Sequence, residues 1–122
     1  MSALHAQSPE IVDFLAAWHE NGRASFTREY TNLDYDSFAP KVAKERTKFI
    51  ACDAGTSGMF LVDRATGDVY SIKGYGRPNR KVGTVAGLTA AYRAATAGHR
   101  ELPGPGYVGS DAALRASSRQ EA

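Results

Sequence analysis

The feature that most restricts the fold is a pair of apolar runs, Met59-Phe60-Leu61-Val62 and Val69-Tyr70-Ser71-Ile72, separated by Asp63-Arg64-Ala65-Thr66-Gly67-Asp68. Both runs are rich in β-branched and aromatic residues, and Gly67 can take the positive φ that closes a short hairpin loop with a bulge. A lone hairpin is not stable in water, so at least one further strand or helix must pack on it. Lys48-Phe49-Ile50-Ala51-Cys52, ended by Asp53-Ala54-Gly55, reads as that strand.

Two helices complete the expected domain. Ser8-Pro9-Glu10 is a helix start, Ile11, Phe14, Leu15 and Trp18 form one apolar stripe, and Asn21-Gly22 reads as the stop. Thr84 to Ala97 carries Val85, Leu88, Ala91, Tyr92 and Ala95 on one side, with Gly98 placed to end it. Residues 24 to 40 show no clean period, and their aromatics Tyr30, Tyr35 and Phe38 suit either a core cover or a partner surface. Pro103-Gly104-Pro105-Gly106 has linker composition, and 110 to 122 holds few large apolar groups. The expectation is an α+β domain over 1–102, with an antiparallel sheet of about three strands around the central hairpin, flanked by an N-terminal and a C-terminal helix. Residues 103–122 are expected to be a flexible tail.

Composition narrows the class without naming an activity. With 122 residues, 43% of them hydrophobic and 23% charged, the chain matches a folded globular domain. No apolar run approaches the roughly 18 residues of a membrane span, and the start lacks the pattern of a secretory signal. The single Cys52 fits a reducing compartment. Cytoplasmic residence without a membrane partner is therefore expected.

Charge is unevenly spread. Residues 1–68 hold ten acids against seven bases, whereas 69–100 hold six bases (Lys73, Arg77, Arg80, Lys81, Arg93, Arg100) and no acid. A run so one-sided produces a positive field wherever those side chains share a face, and that field attracts anions. Gly74 to Gly83 reads as an exposed loop. Within it and beside it, Lys73, Arg77, Arg80 and Lys81 offer contacts to phosphate, and Tyr70 and Tyr75 offer stacking surfaces for a base. These six form the candidate site, and a nucleic acid or nucleotide is the candidate ligand. A solvated basic loop whose glycines merely allow a bend is the plainer reading of the same residues.

Other chemistries lack a pattern. Neither G-x-x-x-x-G-K-[ST] nor G-x-G-x-x-G occurs, and Asn32 to Asp36 resembles a calcium loop only until Ser37 and Ala43 stand where Gly and Glu are needed. His5, His19 and His99 are far apart, with no zinc spacing. Asp63 and Asp68 are turn residues first, Cys52 is a buried thiol, and Ser57 has no nucleophile elbow. No catalytic residue, metal or cofactor is expected.

The run from Ser57 to Gly76, with the strand before it and the Gly, Tyr and basic segment after it, resembles S-G-x-F-x-V-D-R-x-T-G-[DE]-[VI]-Y in small bacteriophage proteins, notably of phages infecting actinobacteria. The resemblance covers about 35 residues, from Lys48 to Gly83, and carries no catalytic residue with it. It implies the hairpin and a phage origin. The combined expectation is a non-enzymatic phage accessory protein that binds an anionic ligand in the host cytoplasm. The alternative is a protein-interaction module, either an inhibitor of a host protein or a small virion or assembly component, with homo-oligomers formed through strand edges as a further possibility.

Overall fold

The computed structural model describes residues 3–29, 34–106 and 108–121, and in it the chain builds a five-stranded antiparallel meander flanked by helices. The order is α1 (Pro9–Glu29), α2 (Tyr35–Phe38), β1 (Lys41–Glu45), β2 (Phe49–Ala54), β3 (Ser57–Asp63), β4 (Asp68–Gly74), β5 (Arg77–Thr84), α3 (Val85–Ala97) and α4 (Val108–Glu121). The α+β class and the β3–β4 hairpin are as the apolar runs dictate. Asp63 Oδ1 accepts from the amides of Ala65 and Thr66 at 2.9 and 3.2 Å, and Gly67 has φ +78°. The carboxylate therefore holds the turn.

The sheet has five strands where about three were expected. β1 directly follows the stretch without periodicity, in residues to which the sequence assigned no element, and Tyr30, Asn32 and the side chain of Phe38 fall outside the described residues. β5 occupies most of the expected basic loop. Only Val82 in it is fully buried, so no alternation announces a strand, and Pro78 is tolerated because β5 is an edge. Its pairing with β4 is irregular, with shifts between Val69 and Tyr70, Tyr70 and Ile72, and Ile72 and Gly74.

Alternation along the strands sends Ile50, Cys52, Phe60, Val62, Val69 and Val82 into one core with Ile11, Phe14 and Trp18 of α1, Leu88 and Tyr92 of α3, and Leu114 of α4. Phe60 sits edge-on to both Phe14 and Trp18, with centroids at 5.6 and 5.0 Å. Thr84 caps α3 by accepting from the Gly87 amide at 3.0 Å.

Two helix boundaries depart from expectation. α1 runs through Asn21-Gly22 because the Asn21 side chain is occupied elsewhere: its amide donates to Thr96 Oγ1 and the Arg100 carbonyl at 3.1 and 2.8 Å, and its oxygen accepts from the Leu102 amide at 3.0 Å. Gly22 is present for room, since a Cβ there would collide with the Tyr35 hydroxyl. The second departure is the C-terminus. The segment expected as a flexible tail forms α4, whose Asp111, Leu114 and Ser118 are buried at successive turns. One large apolar side chain suffices because polar groups share the contact. Leu114→Ala should lower unfolding free energy by about 2–4 kcal/mol in urea titration, a loss a mobile tail would not show.

Candidate functional site

Helix α4 is docked by a buried carboxylate. Asp111 is 0% exposed; its Oδ2 accepts from the Ser71 hydroxyl of β4 at 2.7 Å and its Oδ1 from the Gly106 amide at 2.9 Å. Ser71 Oγ in turn accepts from the Arg80 backbone N–H of β5 at 3.3 Å, where the β4–β5 register shifts. One hydrogen-bonded chain thus joins α4, β4 and β5 and serves a backbone donor that the irregular ladder leaves over. Close approach farther along needs Gly83 and Gly87, because a Cβ at either would strike Ser118 Oγ.

This docking creates a cleft of about 640 Å³ between β5 and α4, lined by Arg80, Lys81, Gly83, Arg115, Ser118 and Arg119, with Thr84 at the start of α3. Four bases and no acid line it among the described residues. Arg115 and Arg119 share a face one turn apart. Arg80 Nη1 lies 3.9 Å from Asp111 Oδ2, which Ser71 already holds. Lys81 Nζ pairs with Asp68 at 3.1 Å; the lysine is 53% exposed, and such a pair is worth at most about 1 kcal/mol, so it yields readily to a stronger anion. The positive end of α3 adds to the field at Thr84.

The reverse face of the sheet carries the aromatics. Phe49 and Tyr70 meet edge to face at 6.1 Å, and Lys48 Nζ lies 5.4 Å from the Phe49 centroid. Phe49, Ala51, Leu61 and Tyr75 line a groove of about 310 Å³ with Arg46 and Lys48 at its rim. Tyr75 leans back from the β4–β5 turn to within van der Waals reach of Gly58, and its hydroxyl donates to Asp53 Oδ2 at 3.0 Å. Lys44 Nζ stands 3.6 Å from the same oxygen. Asp53 is 1% exposed, and its Oδ1 has no hydrogen-bond partner among the described residues. An orphaned buried acceptor costs on the order of 1–3 kcal/mol, which native folds seldom tolerate without a use.

The six residues chosen from sequence therefore divide. Arg80 and Lys81 enter the cleft, Tyr70 and Tyr75 belong to the reverse face, and Lys73 and Arg77 are exposed beside the β4–β5 turn, lining neither cavity. Arg115 and Arg119 were missed with the helix that bears them. The spacing of Asp111, Leu114 and Ser118, with arginines on the flanking face, is the signal that could have found them.

Elsewhere the side chains serve structure. Burial, then the neighbouring Asp53 charge, pushes the Cys52 thiol up to about 12, far from a reactive thiolate. His5 contacts Arg64 and Glu45, and no group of three His, Cys, Asp or Glu able to hold a metal occurs among the described residues. Neither family models, nor curated proteins, nor solved structures match the chain.

A polar cluster ties β1 to α1. Lys41 Nζ donates to the Tyr35 hydroxyl at 2.9 Å and the Ala39 carbonyl at 2.8 Å, and lies 3.3 Å from His19 Nδ1; His19 Nε2 is 2.7 Å from Asp36 Oδ1. That His19 hydrogen bond, aided by the Arg23 charge, holds the Asp36 carboxyl below its ordinary value. Burial lowers Lys41 from 10.5 to about 8. Between those values the unfolded chain binds more protons than the folded one, so stability rises with pH above about 8. Tyr35 and Tyr92, both raised by burial, oppose this as unfolded tyrosines ionise near 10.0. The urea midpoint should accordingly climb from pH 8 to about 9.5 and flatten in Lys41→Met; a flat profile in the native protein contradicts the burial of the ammonium.

Proposed function

We propose that this protein binds a phosphate-bearing ligand, single-stranded nucleic acid or the nucleotide it is made of, in the cleft between β5 and α4, and that it acts as a binding protein rather than an enzyme. The carrying observation is that four bases from two elements line one concavity with no acid in its lining among the described residues. Concave, single-signed surfaces focus the field and concentrate counter-ions, and arginine forks suit phosphate oxygens in particular. Lys73 and Arg77 extend the positive surface from the cleft toward the β4–β5 turn. The aromatics across the β5 edge offer bases a stacking surface, which duplex DNA could not use, so a single strand fits better.

The hairpin resemblance supports a phage accessory protein working in the host cytoplasm. The competing reading is a docking module for a host protein or a second copy of the chain, in which affinity rests on a few anchors rather than on summed charge.

Polarisation titration of a labelled oligothymidylate at several salt concentrations separates these readings. Four phosphate contacts at about 0.7 each predict a log–log slope near −3. Arg115→Ala with Arg119→Ala should roughly halve that slope and weaken binding about tenfold or more at low salt, with melting unchanged. Lys73→Ala with Arg77→Ala should have a smaller effect. Absence of salt-dependent binding in the native protein refutes the reading and favours a protein partner.

A further inference from the structure

Asp53, whose Oδ1 is left over, lies behind Tyr75, one wall of an apolar groove. Phe49, Ala51 and Asp53 are alternate residues of β2, and Tyr75, which walls the groove, also hydrogen-bonds Asp53. The site therefore combines three features: a flat aromatic and aliphatic floor, a rim bearing Arg46 and Lys48, and, behind the Tyr75 wall and outside the groove's own lining, a buried carboxylate with one oxygen unpaired among the described residues. The carboxylate calls for hydrogen-bond donors. A cationic occupant such as an arginine side chain would supply them, but Arg46, Lys48 and Lys44 disfavour it and favour a ligand whose charge is negative. A nucleotide satisfies all three, carrying its charge on phosphate and its donors on a planar base.

Among the bases, guanine alone presents two adjacent donors, N1–H and the N2 amine, on its pairing edge. Adenine and cytosine set their amine beside a ring nitrogen whose lone pair would face the carboxylate, and thymine flanks a single N–H with carbonyls. Tyr75 is the part that must yield. It is 51% exposed and sits between Gly74 and Gly76, around neither of which an added Cβ would meet anything within 4 Å, so its hydroxyl can exchange Asp53 for the base. The route from the cleft is short, because Lys81 and Tyr70 are register partners across the β4–β5 ladder.

We propose that the groove of Phe49, Leu61 and Tyr75 is a base-binding subsite that selects guanine through Asp53. The inference rests on the nucleic-acid reading above and adds a preference that the cleft cannot supply, since phosphate contacts carry no base information.

The test uses the native full chain and labelled eight-nucleotide oligothymidylates whose central position is T, A, C or G, read by polarisation. The G-containing strand should bind about tenfold more tightly than the all-T strand, with A and C close to T. Asp53→Asn, which offers one acceptor and one donor, should abolish the guanine preference while leaving all-T affinity and its salt slope unchanged. Tyr75→Ala should also abolish it. This variant removes the hydroxyl that Asp53 Oδ2 accepts from, so its melting temperature should fall; salt-dependent binding to the all-T strand that persists shows it folded and covers the case in which the Asp53 variant fails to fold. Guanosine monophosphate competing as well as the G-containing strand assigns the subsite to free nucleotide; competition by the strand alone assigns it to a polymer. Equal affinity for all four strands with salt-dependent binding intact overturns the subsite but not the cleft, as does a guanine preference that survives Asp53→Asn. No salt-dependent binding to any strand overturns both.

Discussion

The Asp111 carboxylate is the contact on which the functional surface depends. It lies wholly out of water and collects a hydroxyl from β4 and an amide from the segment before α4, while the same hydroxyl takes a backbone donor from β5. A buried charge is tolerated only when such partners surround it, and removing one would leave the rest exposed to the full desolvation penalty. Because the partners come from three elements, the carboxylate sets where α4 stands against the sheet. The cleft is the gap left by that placement, floored where two glycines admit Ser118.

Asn21 does a similar job at the other end of α3. Its side chain meets Thr96, Arg100 and Leu102, fastening α1 to the chain leaving α3. Both residues look like helix-end or tail residues when read locally, and both are instead buried connectors. The apolar core supplies the bulk of the driving force, since aromatic stacking of Phe14, Trp18 and Phe60 and the aliphatic strand residues remove most apolar area from water. These polar connectors add direction, which apolar burial lacks.

Asp53 contrasts with Asp111. The two carboxylates are equally buried, yet Asp111 is served on both oxygens and Asp53 on one. A satisfied buried carboxylate is explained by the fold it organises; a half-satisfied one is not, and its place beside an exposed tyrosine and a basic rim turns attention to ligands. The work that the sequence assigned to one loop is also divided: Arg80 and Lys81 line the cleft beside α4, whereas Tyr70 and Tyr75 belong to the reverse of the sheet, where Arg46 and Lys48 lie beside the aromatic groove.

The hairpin, helices α1 and α3 and the apolar stripes that meet in the core were legible in the residues themselves, because periodicity, β-branching, capping and turn chemistry act over a few positions. The positive bias after β4 was legible too, as a matter of counting. Which bases act together was decided only by tertiary structure: β5 carries no alternation because it is an irregular edge, and α4 is held by polar contacts 40 residues away in sequence as much as by Leu114. Local patterns report what a segment prefers alone. The cleft and the orphaned oxygen arise from groups distant in sequence that compete for the same partners, and that competition is settled only when the chain has closed on itself.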